Sequence, residues 1–572
     1  VHVVATAGHV DHGKSTLVRA LTGQDPDRLE EEHRRGLSIE LGYCWTDLGP
    51  VGEVAFVDVP GHERFLSTTL AGLGPVSVAL LVVAADDPWM PQAAEHLAAI
   101  DALGVRHGVL VVTRSDLADP EPVLARARDE MSRTSLRGAP AVVVSGRTGS
   151  GLDDLRAVLG TVLAALPVPD PGADVRLWVD RAFHVRGAGT VVTGTLPAGT
   201  LRVGDLLVLG QDQVRVRGLE CLGRQVDRIS GPARVAVQLG GRGPDRLRRG
   251  SVLVTPDAFD QVVEVDVRLD RRGPLPERPI VHVGSTRQAV HARPLGNDHA
   301  RLRLETPVPL RHGDRLVLRD PGSRTLWGAE VLDAAPPPLT RRGAAQARAD
   351  ELGGRGRDLA AELEARGAVR RSRLRRLGVA GAPLPADGLA AGDWLVSAAQ
   401  ARTWREQLVR AVAASDDGLS PAEAARELGL PDPDLLARLV ADPVRRRAGR
   451  LVVDTGLPAP VREALDVLQA DLGDAPFQAP GADRLEELGL DRVTLARLAR
   501  AGELLVVGDG IALLPGSDDD AVKLLSTLPQ PFTTSQARQT LETSRRVVLP
   551  LLAHLDRTGR TVRLPDDTRR VR

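Results

Sequence analysis

The chain is nearly devoid of lysine. Of its 74 basic residues all but two, Lys14 and Lys523, are arginine. It has two cysteines, two methionines and one tyrosine, and aromatic residues make up 2% of it. Cys44 and Cys221 are too few for a disulfide framework or a four-ligand zinc site, which excludes a stapled secreted scaffold and fits a reducing cytoplasm. So few aromatics leave few platforms for stacking bases. No apolar run approaches the ~18 residues that suggest a membrane span, and strand-like sequence from Val1 onward gives no expectation of a leader. The net charge of −1 excludes a globally basic nucleic-acid binder, so any such surface must be local. At 572 residues and 42% hydrophobic content, several domains with buried cores are expected.

What is present begins with Gly8-His9-Val10-Asp11-His12-Gly13-Lys14-Ser15, between an apolar run and the helical stretch from Thr16. Strand, glycine-rich turn and helix in that order, spaced G-x-x-x-x-G-K-S, make a P-loop. Its glycines bring the backbone N–H groups of Gly8, Val10, Asp11, His12 and Gly13 onto a polyphosphate, and the helix start at Thr16 adds its dipole. Lys14 supplies a point charge and Ser15 a hydroxyl for Mg²⁺. A chain that writes arginine almost everywhere keeps lysine where a forked guanidinium would not fit between phosphates.

A buried strand at Glu53–Val57 runs into Asp58-Val59-Pro60-Gly61-His62. An acid at a strand end in D-x-x-G holds the Mg²⁺ shell at Asp58, while the Gly61 N–H reaches the γ-phosphate. Further apolar strands alternate with helical segments, which predicts a mostly parallel sheet covered on both faces. Two strand ends carry Thr113-Arg114-Ser115-Asp116 and Ser145-Gly146-Arg147. A carboxylate at Asp116 accepts from both guanine N1–H and the exocyclic amine, which adenine does not offer, and backbone N–H groups around Ser145, Gly146 and Arg147 face O6. The nucleotide pair is therefore GTP and GDP.

Pro167–Gly172 predicts a linker, followed by short alternating strands with glycine turns. Leu201-Arg-Val-Gly204-Asp205-Leu-Leu-Val-Leu209 recurs as Leu310-Arg-His-Gly313-Asp314-Arg-Leu-Val-Leu318, which predicts two small β-barrels in series. From Arg341 the period turns helical, and Leu-Gly turns at 377, 428 and 488 recur before amphipathic runs and short strand pairs. That is the winged-helix plan, repeated about four times. The expected fold is thus an α/β P-loop domain over 1–170, barrels over 171–257 and 258–338, and an all-α/winged-helix array over 339–572. The array divides near 341–400, 401–456, 457–516 and 517–572.

Motifs and their order resemble the translational GTPases of the elongation factor Tu superfamily. The full domain order resembles one branch, the bacterial selenocysteine-specific elongation factors or SelB family. Arg35-Gly36-Leu37-Ser38-Ile39 resembles that superfamily's first switch, with Ser38 in place of threonine as a Mg²⁺ ligand beside Ser15 and Asp58. Thr113-Arg114 stands where most members have Asn-Lys: Arg114 still covers the base face, and Thr113 weakens one loop-bracing hydrogen bond. The resemblance implies that His62 positions the attacking water once the ribosome has organised the site. Trp178-Val-Asp180-Arg181 through Thr195 resembles the first-barrel signature of the branch, which implies a selenocysteine pocket of Asp180, Arg181 and Arg234. Arginine there would favour an ionised selenol over a serine hydroxyl; an ordinary barrel-rim ion pair is the other reading of the same residues.

Between Leu541 and Arg572 there are eight arginines against four acids. The resemblance implies that this last winged helix grips an mRNA hairpin, with Arg545, Arg546, Arg560 and Arg563 against its phosphates. The implied protein is a monomeric cytoplasmic GTPase with no membrane partner. It would bind selenocysteinyl-tRNA, an mRNA hairpin and the ribosome, and deliver the tRNA at recoded UGA codons. Two other readings stay open on the residues alone: a translational GTPase delivering another aminoacyl-tRNA, and a nucleotide-sensing winged-helix regulator that binds DNA.

Overall fold

The computed structural model describes residues 1–572 except 28–31, 33–37, 187–188, 242–245, 355–357, 380–382, 416, 448, 454–457 and 509. Arg35-Gly36-Leu37 of the first switch and Gly187 of the barrel signature lie outside the described residues. The chain divides into two compact units: Val1–Gln407 with Leu428–Leu439, and Leu408–Glu427 with Val440–Arg572.

The N-terminal sheet has six strands: β1 (His2–Ala7), β2 (Gly42–Asp47), β3 (Glu53–Asp58), β4 (Val78–Ala84), β5 (His107–Thr113) and β6 (Ala141–Val143). Their order is β2-β3-β1-β4-β5-β6, parallel throughout except for the antiparallel edge pair β2–β3. Strand residues alternate between two cores, as the period of 2 requires. Val4, Phe56, Leu80 and Val111 pack with Leu17 and Leu159 of helices Lys14–Thr22 and Leu152–Ala164. Val3, Val57, Leu81 and Leu110 pack on the other face with Leu70, Ile100 and Leu124 of helices Leu66–Leu73, Pro91–Leu103 and Glu121–Met131. Both faces are covered, so β1, β3 and β5 end at one edge with the P-loop, Asp58 and Thr113 side by side.

Two antiparallel barrels follow. In the first, the ring runs through Leu206–Leu209, Val252–Val254, Arg176–Val185, Gly189–Leu196, Ala233–Gly241 and Asp212–Cys221, and closes where Asp212–Cys221 pairs back onto Leu206–Leu209. The second is a closed six-stranded barrel from Gln261–Leu269 to Leu326–Asp333. The sequence echo occupies the same turn in each. Asp205 accepts from the Arg202 N–H at 2.8 Å and Asp314 from the Arg311 N–H at 2.7 Å, while Gly204 and Gly313 take φ of 98° and 83°. The repeat encodes one barrel corner twice.

Helices Ala344–Gly354 and Leu359–Arg366 join the second barrel through buried charge. Arg348 binds Asp266 at 2.7 Å and Asp333 at 2.6 Å, Arg301 binds Asp266 at 2.7 Å, and Arg366 binds Glu362 and Asp333 at 2.8 Å each. From here on, among the described residues, helices followed by a wing of paired strands recur four times. The wings include Leu389–Ala391 with Trp394–Val396, Val444–Arg447 with Arg450–Val453, Leu505–Val507 with Ile511–Leu513, and Thr561–Arg563 with Arg569–Val571. The division between the two compact units falls inside the second repeat. The third and fourth share one apolar core, in which Leu468 and Leu498 meet Phe532, Leu551 and Leu552. The expected α/β domain, barrels and winged-helix region are all present.

Candidate nucleotide-binding site

The edge formed by β1, β3, β5 and β6 opens into a cavity of about 420 Å³. Val10, Asp11, Gly13, Lys14, Ser15, Thr16, Ser38, Gly61, Thr113, Arg114, Asp116, Gly146 and Arg147 all line it. The backbone there needs its glycines. Gly8 sits at φ 136°, where a Cβ would lie 2.1 Å from the Val82 carbonyl oxygen, and a Cβ on Gly61 would meet Lys14 Nζ at 2.5 Å. Gly8 N–H donates to His96 Nδ1 at 2.9 Å. Burial pushes the His96 imidazole down to about 3, so it stays neutral and keeps this acceptor.

Lys14 is buried and donates to the His9 carbonyl at 2.7 Å. Burial lowers its pKa, and Asp58, Asp11 and Asp27 only partly offset this. An ammonium held out of water with a carbonyl as its hydrogen-bond partner is suited to receive anionic oxygens. Beside it Ser15 Oγ donates to Asp58 at 2.7 Å and lies 3.2 Å from Ser38 Oγ, which donates to Asp27 at 2.7 Å. Burial raises the Asp58 carboxyl, opposed by Lys14. These hydroxyl and carboxylate oxygens form an all-oxygen donor set that fits Mg²⁺. Asp27 is a cavity residue that the sequence reading missed, since it lies in a charged segment with no motif to distinguish it.

At the base end, Asp116 accepts from Ser145 Oγ at 2.7 Å and from Arg147 Nε at 3.0 Å. Its carboxyl is held below the usual range, first by Ser145. Arg114 bonds Asp86 at 3.2 Å and also reaches the Asp11 carbonyl. Thr113, which stands where most members of the superfamily have asparagine, makes a loop brace of its own. Its hydroxyl donates to the His12 carbonyl at 2.7 Å, which ties β5 to the P-loop with a shorter side chain. His12 is buried, with Nε2 3.1 Å from Asp87. His62 does not line the cavity. Its Nδ1 accepts from the Arg64 N–H at 3.2 Å and caps the turn that follows.

The three predicted pocket residues of the first barrel gather around Tyr43, each with its own partners. Asp180 and Arg234 are buried against each other in a two-point ion pair, and the Arg234 guanidinium lies 3.7 Å from the Tyr43 ring centroid. Arg234 is thereby neutralised, as an ordinary rim ion pair would be. Arg181 lies 5.2 Å from the same ring centroid and also reaches Glu40 at 3.1 Å and the Leu41 carbonyl. Asp180 and Arg181 line a cavity of about 370 Å³ whose further cations are Arg248 and Arg249, and Arg181 and Arg234 together line another of about 760 Å³. Neither Arg248 nor Arg249, nor Tyr43, carried a sequence signal.

In the last winged helix, Arg545 is exposed and makes no ion pair or hydrogen bond among the described residues. The other three are engaged: Arg546 with the Pro480 carbonyl at 3.0 Å, Arg560 with Asp518 at 3.3 Å and with Asp519, and Arg563 with Asp567 at 2.8 Å. Arg538 and Arg570 are exposed there as well.

Family models match the chain at three places. Residues 1–166 match the elongation factor Tu GTP-binding domain, 262–338 the β-barrel domain of selenocysteine-specific elongation factor, and 523–570 the winged helix of elongation factor SelB. Two of these three models, the barrel and the winged helix, are those of SelB-type factors, and the first is that of the elongation factor Tu superfamily. It is 36% identical over 361 residues to the selenocysteine-specific elongation factor of Desulfomicrobium baculatum, a stretch covering 59% of this chain and 56% of that one. To the Escherichia coli K12 factor it is 38% identical over 356 residues, 60% of this chain and 56% of the relative. The chain thus spans about half the length of the curated relatives it matches. A crystal structure of a bacterial selenocysteine-specific elongation factor shares its fold over 100% of this chain and 99% of the other, with TM-score 0.70 and 24% identity. No helix among the described residues is long and apolar enough to cross a membrane.

Proposed function

We propose that this chain is a member of the SelB family that binds GTP, carries selenocysteinyl-tRNA to the ribosome at UGA codons marked by an mRNA hairpin, and hydrolyses GTP there. The observation that carries the reading is the succession of matches along one chain: a GTP-binding domain, a selenocysteine-factor barrel and a SelB winged helix. The domains lie near 1–170, 171–257, 258–338 and 339–572, and the chain works as a cytoplasmic monomer.

Lys14 and the P-loop amides hold the β- and γ-phosphates, Asp116 and the Ser145–Arg147 backbone read guanine, and Ser15, Ser38 and Asp58 hold Mg²⁺. That ion neutralises phosphate charge when bound. His62 positions water after turning out of its cap on Arg64. The described geometry supports a route from nucleotide to cargo. Ser38, at the cation site, lies three residues from Leu41, whose carbonyl accepts from Arg181 at the barrel cavity. Ordering the 38–41 segment around GTP therefore sets the wall of the selenocysteine pocket at Asp180 and Arg181. Arg234 supports that pocket by fixing Asp180. Arg545, with Arg546, Arg560 and Arg563 once freed from their partners, contacts the hairpin. The test is competition of seryl and selenocysteinyl forms of one tRNA body for the GTP-bound chain. Preference for the selenocysteinyl form supports the reading, and equal affinities overturn it.

A further inference from the structure

A second arginine-rich cavity lies far along the chain from the Asp180–Arg181 pocket and the last winged helix. It has a volume of about 570 Å³ and sits where the second barrel meets the first winged helix. Arg348, Arg366, Arg370, Arg373 and Arg376 line it with Trp394, against two carboxylates, Asp333 and Glu351. Those carboxylates are already committed: Asp333 to Arg348 and Arg366, and Glu351 to Arg348. Arg376 is matched by Asp260 at 2.5 Å. That leaves Arg370 and Arg373, both exposed, whose side chains make no ion pair or hydrogen bond among the described residues. Asp393 lies close enough to Arg370 and Arg371 to feel their charge, but its oxygens accept from Ser372, at 2.6 Å from Oγ and 3.1 Å from N.

Arg370 is also held in place. Its guanidinium lies 5.2 Å from the Trp394 ring centroid, a cation–π contact that leaves its N–H groups unsatisfied while limiting its rotamers. The floor beneath is rigid, because Arg348 and Arg366 are locked to buried Asp266, Asp333 and Glu362. Two unmatched guanidiniums over a rigid floor whose own charges are already paired suit phosphate oxygens, which arginine takes through paired N–H donors. A cleft with one half-buried aromatic offers little base stacking, so it suits backbone more than sequence.

We propose that this cleft binds the phosphodiester backbone of the tRNA that the chain carries, as a third RNA contact beside the barrel pocket and the last winged helix. This rests on the proposed function above. The experiment uses the full chain, a labelled selenocysteine-tRNA transcript, a labelled RNA hairpin and a DNA duplex of equal length, each titrated at several salt concentrations. For Arg370→Ala/Arg373→Ala, the slope of log Kd against log salt on tRNA should fall by about 1.5, since each phosphate contact contributes about 0.7–0.9. Arg370→Lys/Arg373→Lys should restore most of it. Arg106→Ala/Arg137→Ala, which removes two exposed arginines from the GTP-binding domain, should leave the slope as in wild type. GTP affinity should be unchanged in all three, which shows that the fold is intact. A wild-type slope on tRNA in the alanine variant, or a fall confined to DNA or to the hairpin, overturns the cleft. Wild-type chain that binds no tRNA at any salt overturns both the cleft and the delivery reading, whereas normal binding with an unchanged variant slope overturns the cleft alone.

Discussion

The P-loop and the tip of the last winged helix are both marked by basic residues, yet the structure treats those charges in opposite ways. Lys14 is buried, bonded to a carbonyl, and destabilised as a cation by its surroundings. Arg560 and Arg563 are surface residues already matched by Asp518, Asp519 and Asp567. A charge that the fold leaves unmatched is a stronger sign of a ligand than a count of charges. Eight arginines against four acids at the C-terminus reduce, among the four residues singled out there, to two with no acidic partner among the described residues: Arg545, and Arg546, which bonds only backbone carbonyls.

The largest effect expected from this contrast is at Lys14. Lys14→Ala should weaken GTP binding by about 3 kcal/mol, roughly 100-fold or more, because charge-assisted bonds to phosphate are lost. It should leave the melting temperature of the nucleotide-free chain unchanged or higher, since a buried cation is removed. Fluorescent-nucleotide titration and a thermal melt check the two halves, and a large fall in nucleotide-free stability would break the comparison. His62→Ala should lower ribosome-stimulated turnover by about 10²-fold with GTP affinity retained, the scale of a lost general acid–base or water-positioning group. Single-turnover GTPase assays read this directly.

Much of the nucleotide site was legible because its parts are local. Gly8 to Ser15, Asp58 to Gly61 and Thr113 to Asp116 each sit at a strand end, and a βα alternation places strand ends on one edge. The barrel corner repeated at Gly204-Asp205 and Gly313-Asp314 was legible for the same reason. What escaped were pairings across distant strands. Nothing near Asp180 shows that Arg234 neutralises it under Tyr43, or that Arg181 turns to Leu41. Asp27, Arg248 and Arg249 lack a motif, and the partners of Arg560 lie about forty residues upstream in helix Ser517–Ser526 and at its first turn.

Smaller effects sharpen the contrast. His96 accepts from Gly8 as a neutral ring with its pKa near 3, well under the ordinary 6.5. The unfolded chain takes up a proton below 6.5 that the folded ring refuses until about 3, so this group costs stability as pH falls through that window. His282, also buried and pushed to about 3, acts with the same sign. His96→Asn, whose amide oxygen keeps an acceptor for Gly8, should therefore lessen the drop in melting temperature between pH 7 and pH 5 without abolishing it. A drop as steep as wild type would contradict the assignment. At the C-terminus, Arg545→Ala should weaken hairpin binding by about 1 kcal/mol, roughly fivefold, while Arg563→Ala should change it by less than about 0.5 kcal/mol because its charge is already matched. Equal losses would show that the aspartates release their arginines on binding.

The most direct test of the account is the affinity of the full chain for selenocysteinyl-tRNA measured with GTP and with GDP, in wild type and in Arg181→Ala. The account predicts much tighter binding with GTP in wild type, and a ratio that collapses when the bond from Arg181 to the 38–41 segment is removed. Equal wild-type affinities in the two nucleotide states, or a ratio that survives in Arg181→Ala, would contradict it.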